Sequence, residues 1–245
     1  MAYSNILPDP NNAIAVTGET TGSTYGPGYK SVKLASEHKI MNTRTNSGRL
    51  ISRELSGHKW NISVSYNPMT REEFEPIYTF LLQKRGSMTP FYISLPQYKA
   101  PRDTDFATFV LNSGNTPRTF ATPAAAAGDT SLAITNASYT PVTKGSVKPG
   151  DIFTISDSAD SNHKKTYQIT RVETSAVYLS GTTVPPTTQQ RIQFIPALQR
   201  AVSSSALIVF NDPKFRVVLS NDVSEYSLNT NNLYSFSLKL EEAQI

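Results

Sequence analysis

The chain has 245 residues, enough for one large or two ordinary domains, and its 23 Lys/Arg against 19 Asp/Glu leave a net +4, too little to argue nucleic-acid binding. It has no cysteine, which excludes a disulfide scaffold, a thiol nucleophile and any thiolate metal site, and suits a reducing cytoplasm. Abundant Ser, Thr, Asn and Val favour β structure, no signal-peptide pattern opens the chain, and no apolar run nears the ~18 residues of a membrane helix. A soluble protein without membrane insertion is expected.

Residues 1–29 lack apolar periodicity, and Thr20–Gly28 reads as an extended arm, either a frayed terminus or an interaction arm. Val32 and Leu34 mark a short strand over Lys30–Ala35. Ser36–Ser47 reads as a polar loop, and Gly48–Leu55 resumes with Leu50 and Ile51. Between Lys30 and Lys59 lie seven Lys/Arg against Glu37 and Glu54, a local +5. That is either a solvated face or a subunit interface.

Over Lys59–Tyr66, Trp60, Ile62, Val64 and Tyr66 alternate with Asn61, Ser63 and Ser65, the period of a strand with one buried face. After Asn67-Pro68, Thr70 and Glu73 form a capping box, with Met69 and Phe74 placed for a hydrophobic staple. Phe74, Ile77, Tyr78, Leu81 and Leu82 make one helical stripe, so a helix is expected over about 70–85, capped at Gly86. Pro76 predicts either a bend or a start shifted toward Glu73. Pro90–Leu95 reads as the following strand.

Composition shifts after Pro101, and Thr116–Gly128 reads as a linker into new material. Short strands then recur at Ser131–Ile134, Asp151–Ile155, Thr166–Val172, Ala176–Leu179 and Gln190–Ile195, with no helical stripe, as in a small barrel or sandwich. From Ala206 the first style returns, ending in the amphipathic run Tyr234–Leu240 and Glu241-Glu242. The expected organisation is an N-terminal arm (1–29), one domain from 30–104 with 201–245, and an inserted barrel at 105–200.

No catalytic, cofactor or metal constellation is legible. His38, His58 and His163 are far apart with no second ligand nearby in sequence. Asp157, Asp160, Asn162 and His163 are a weak calcium-loop look-alike, better read as a hairpin tip. Tyr25, Tyr29, Tyr98 and Tyr139 fall in loops and are candidate partner contacts. Glu72, Glu73 and Glu75 suit a helix start and pair with nothing as acid and base.

Gly48–Arg53 (GRLISR), the Trp-centred 58–86 (HKWNISVSYNPMTREEFEPIYTFLLQKRG) and 88–96 (MTPFYISLP) resemble the minor tail and distal tail proteins of long-tailed bacteriophages. The ending 220–243 (SNDVSEYSLNTNNLYSFSLKLEEA) is similar to that family's last strand. The segments AAAAGDTSLAI, VKPGDIFTI, YQITRV and IQFIPALQRAV resemble β-barrel insertions of virion proteins. The resemblance implies a mainly β fold, a tail-tube-like β-sandwich or split barrel with one α-helix, carrying an inserted small β-barrel. It also implies a non-enzymatic virion protein, a distal tail or tube-to-baseplate adaptor assembled in the host cytoplasm. Its partners would be copies of itself in a ring of six or three, the tail tube protein, and baseplate hub and tape-measure-type proteins. Arg44, Arg49, Arg53 and Lys59 are the candidate interface cations, with Glu241 and Glu242 as acidic counterparts. The alternative is a carbohydrate- or receptor-binding module of a tail tip.

Overall fold

Alternation at Lys59–Tyr66 is realised in full: Trp60, Ile62, Val64 and Tyr66 are buried, and the residues between them half-buried. The computed structural model describes residues 5–10, 12, 25–54, 57–111, 118–204, 206–221 and 225–243. Expectations for 13–24, 112–117 and 222–224 lie outside them. In chain order the elements begin β1 (Tyr29–Glu37), β2 (Ile40–Arg44), β3 (Leu50–Glu54), β4 (Lys59–Tyr66), α1 (Arg71–Lys84) and β5 (Phe91–Ser94). Then come α2 (Thr104–Leu111), β6 (Phe120–Ala121), β7 (Ser131–Thr135), α3 (Pro141–Lys144), β8 (Ile152–Ser156), β9 (Thr166–Glu173), β10 (Gln189–Ile195) and β11 (Leu207–Val209). Last are β12 (Lys214–Leu219), β13 (Ser227–Leu228), β14 (Tyr234–Ser235) and β15 (Ser237–Glu242). The architecture is mainly β and divides into two compact units, Met1–Ile93 with Arg216–Ile245, and Ser94–Phe215.

The first unit holds a sheet in the order β1-β4-β15-β12-β5. Its buried face is centred on β4, joined by Leu238 and Leu240 of β15, Val217 and Leu219 of β12, and Phe91 and Ile93 of β5. Helix α1 packs on this face. Phe74 stacks on Tyr234 at 4.5 Å and meets Phe236 edge-on at 5.5 Å, while Phe80 meets Phe91 at 5.4 Å. The run expected as one strand from Tyr234 is split at Phe236 into β14 and β15, and Tyr234 exchanges backbone bonds with Met69 at the helix entry.

The helix begins at Arg71 behind the expected Thr70–Glu73 capping box, Glu73 accepting the Thr70 N–H at 3.0 Å, so the start is not shifted toward Glu73 by Pro76. It departs from expectation in two places. Its buried stripe is Phe74, Ile77, Phe80, Leu81 and Lys84, leaving Leu82 56% exposed. The rotation brings Phe80 onto β5 in place of Leu82. It ends at Arg85, which itself takes the left-handed conformation at φ 54°, ahead of Gly86.

Residues 5–7 are no free arm. The Leu7 N–H donates to the Tyr92 carbonyl and the Tyr92 N–H to the Asn5 carbonyl, both at 2.8 Å, so this stretch covers the outer edge of β5. Leu7 is fully buried there. Gly26 lies so close to the Pro8 carbonyl that any side chain would collide with it.

The second unit is a closed barrel, β10-β7-β6-β11-β8-β9. Leu207–Val209 pairs with both β6 and β8, which places β11 in the barrel wall. Ala176–Leu179, expected as a strand, is irregular and exposed at Val177 and Tyr178. Helix α2 stands where sequence suggested an approach to a linker. The Asp103 carboxylate accepts the Phe106 N–H at 3.0 Å, starting the helix, and Phe106 and Phe109 join Phe120, Tyr139 and Phe210 in the barrel core. Tyr139 is therefore a core residue and not a partner contact. Its hydroxyl lies 2.8 Å from Gln190 Oε1, and burial pushes its pKa up. Gly145, at φ 73°, passes so near Asp103 and the Phe106 N–H that a β-carbon there would overlap both.

The loop between β8 and β9 is a pinned hairpin tip. Asp157 accepts the Ser203 N–H at 2.8 Å and the Ser203 hydroxyl at 2.7 Å, while Asp160 pairs with Arg200 at 3.1 Å. His163, buried, is hydrogen-bonded through Nε2 to the Tyr167 hydroxyl at 2.8 Å.

Two outcomes follow from these cores. Leu81→Ala is expected to lower stability by ~2–5 kcal/mol, read from denaturant unfolding; an unchanged midpoint would show that the α1 face is not core. The Ser203 hydrogen bonds hold the Asp157 carboxyl below the usual carboxylate range. Such a group stabilises above its unfolded value of ~3.9, and that contribution disappears as pH falls through the lower folded value. Asp157→Asn should therefore be less stable than the parent at neutral pH, with the gap closing in acid. A gap that does not narrow below about pH 4 would assign the loss to something other than this charge.

Candidate functional site

The β2–β3 pair is the feature of the first unit that its own core does not explain. β2 replaces the polar loop expected at Ser36–Ser47, because Ile40–Arg44 pairs in register with Leu50–Glu54. The connecting turn is closed by Thr45, whose carbonyl accepts the Gly48 N–H at 2.8 Å, with Gly48 at φ 81°. The ribbon forms a two-stranded sheet of its own, and every residue of β2 is exposed.

Its exposed side chains are not those of a solvated loop. Ile40 is 56%, Met41 61%, Leu50 55% and Ile51 49% exposed. By the register, Met41, Arg53, Thr43 and Ile51 share one face, and Ile40, Asn42, Ser52, Arg44 and Leu50 the other. Apolar and cationic groups thus stand together on both sides. A lone two-stranded ribbon is marginal in water, so this one needs further contacts to persist. The five-stranded sheet has a second opening: β1 ends the strand order, and among the described residues no strand pairs with its outer edge.

The charged candidates fall into two groups. Arg44, Arg49 and Arg53 are exposed on the ribbon and its turn. Lys59, Glu241 and Glu242 are used at home. Lys59 Nζ lies 3.7 Å from the Glu241 carboxylate, and Glu242, 3% exposed, accepts the Trp60 N–H at 3.1 Å. β15 runs antiparallel beside β4, which turns the acidic close of the chain onto its own neighbour. Glu242 consequently offers no surface to another molecule. Of the loop tyrosines, Tyr25 is 59% exposed, while Tyr29 packs edge-on against Tyr66 at 5.5 Å.

At the ribbon's root, His38 follows β1 and His58 precedes β4. Their Nε2 atoms lie 3.0 and 2.8 Å from the Ser36 hydroxyl oxygen, and their rings are 4.8 Å apart. Sequence spacing missed this pair because it is made by strand register and not by local periodicity. Continuing the alignment of Glu37 with Lys59 by one step sets His38 opposite His58. Among the described residues no group of three or more His, Asp or Glu gathers as a metal cluster, and no helix is long and apolar enough to cross a membrane.

The chain is 28% identical over 242 residues to the distal tail protein pb9 of Escherichia phage T5, a match covering 97% of this chain and 98% of that protein. No family model matches the sequence. The resemblance to phage distal tail proteins therefore extends over both units, the barrel included.

If the ribbon owes its order to contacts beyond the chain, it is the first part of the unit to open in isolation. Hydrogen exchange of the free chain is expected to be fast at Ile40–Arg44 and Leu50–Glu54, and slow at Lys59–Tyr66, where side chains are buried. Equal protection of both would mean that the ribbon is stable alone.

Proposed function

We propose that this chain is a structural protein of a phage tail, located at its distal end, where copies join side by side in a closed ring of six or three. The ring would sit between the tail tube protein on one side and baseplate hub and tape-measure-type proteins on the other. The observation that carries this reading is the β2–β3 ribbon, with Ile40, Met41, Leu50 and Ile51 exposed, together with a β1 edge that has no partner strand among the described residues. Similarity to a distal tail protein along nearly the whole chain supports the place in the virion.

Physically, the ring satisfies what the single chain leaves open. Apolar residues of the ribbon are withdrawn from water at roughly 25 cal/mol per Å2 buried, and unpaired backbone groups at the edge gain partners. Exposed ion pairs contribute only ~0–1 kcal/mol each, so Arg44, Arg49 and Arg53 set orientation and rate more than final affinity.

Solution mass and negative-stain microscopy of the purified chain test the reading. A closed ring of three or six supports it; a monomer at every concentration, with and without a tail tube partner, counts against it. Met41→Ser with Ile51→Ser should shift the population from ring to monomer while far-ultraviolet circular dichroism is retained. Reversing Arg49 and Arg53 to Glu should slow assembly, most strongly at low salt. Rates indifferent to salt in both parent and variant would return these arginines to an ordinary solvated face.

A further inference from the structure

His38, His58 and Ser36 converge on one point at the base of the ribbon, with both imidazole Nε2 atoms within 3.0 Å of a single hydroxyl oxygen. Two strand ends bring these groups together, one from each leg of the ribbon. His58 is 8% exposed and held edge-on against Trp60 at 4.8 Å, whereas His38 is exposed, so one ligand is fixed and the other is free to adjust. The charges around the point are mixed. Glu242 is buried on the same side of the sheet against the Trp60 N–H, and Glu37 accepts from Asn61. Lys59 is occupied by Glu241, and the Lys39 stem runs past Gly57.

We propose that His38 and His58, with the Ser36 hydroxyl, bind one divalent transition-metal ion of the zinc, nickel or copper class, which ties the two legs of the ribbon together. Neutral imidazole suits these metals, while magnesium and calcium call for carboxylate and carbonyl oxygens that the point does not offer. Donors about 2.0–2.1 Å from a shared metal stand somewhat farther apart than the 2.8 and 3.0 Å that now separate the Nε2 atoms from the hydroxyl oxygen, and the exposed His38 ring is the one placed to take up that adjustment. Water completes the coordination, so affinity is expected well below that of a closed four-ligand site. The tie joins the chain across the turn and removes freedom from β2 and β3, without adding any contact to their exposed side chains.

Trp60 is the only tryptophan, and its indole lies 4.8 Å from the His58 ring, which gives a direct reporter. The untagged chain, diluted until monomeric, is titrated with copper or nickel while Trp60 fluorescence is followed. Saturable quenching that fits a single site is expected, reversed by a chelator and not produced by magnesium. It should be lost in His38→Ala, a solvent-facing substitution, with circular dichroism unchanged; His58→Ala should behave the same if it folds. In parallel, zinc should slow tryptic cleavage after Arg44 and Arg49 in the parent but not in His38→Ala. Quenching that persists in folded His38→Ala overturns the site, and cleavage rates indifferent to zinc overturn the tie. Both readouts use the monomer, so they stand or fall separately from ring formation.

Discussion

Pairing between β4 and β15 is the constraint on which the first unit rests. It joins residues at opposite ends of the sequence, the Trp60 N–H reaching Glu242 across 182 positions. Until that ladder forms, β4 has only β1 beside it, and the face bearing Ile62 and Val64 has no β15 to extend it. The entropic cost of closing so long a loop grows only slowly with its length. The intervening barrel, with a core of its own, shortens the effective loop further once it has folded. An aromatic stack then locks the helix over the sheet, Phe74 meeting Tyr234 and Phe236 from the returning segment.

Much of this was legible in the residues. β4 was readable because strict alternation over eight residues has no competing explanation, and α1 because a capping box precedes a stripe. The barrel was expected from short strands set between Gly, Pro and Asp, and the closed barrel is there. What escaped was whatever depends on partners distant in sequence. α2 has only eight residues, too short for a convincing stripe, and its one local signal was the Asp103 cap. Tyr139 looked like a loop residue because its neighbours are polar, yet its ring fills the barrel beside Phe106 and Phe120. Leu82 and Phe80 exchanged places because helical position alone does not say which flank of a stripe meets β5.

The candidate surface was legible in charge and not in form. Concentration of Lys and Arg between Lys30 and Lys59 drew attention to this stretch, and the structure separates it into exposed arginines on a ribbon and a lysine already paired at the sheet. The exposed apolar residues were visible as Leu50 and Ile51, but Ile40 and Met41 were hidden inside a segment that reads as a polar loop. A strand with no core to face gives no alternation of burial, and its sequence is correspondingly unpatterned.

The docking of Asn5–Leu7 on β5 has a geometric consequence for symmetry. With that side of the sheet occupied by Asn5–Leu7, the opposite end of the sheet order, β1, is the doorway to which the described residues bring no partner strand. Two copies meeting doorway to doorway would be related by a two-fold axis and would stop at a pair. Growth past two requires each copy to present its ribbon side to a different patch of the next, a head-to-tail relation whose rotation must return to the first copy. In the proposed assembly the short N-terminal stretch would act by subtraction: with β5 covered, its edge is closed to the β1 edge of a second copy.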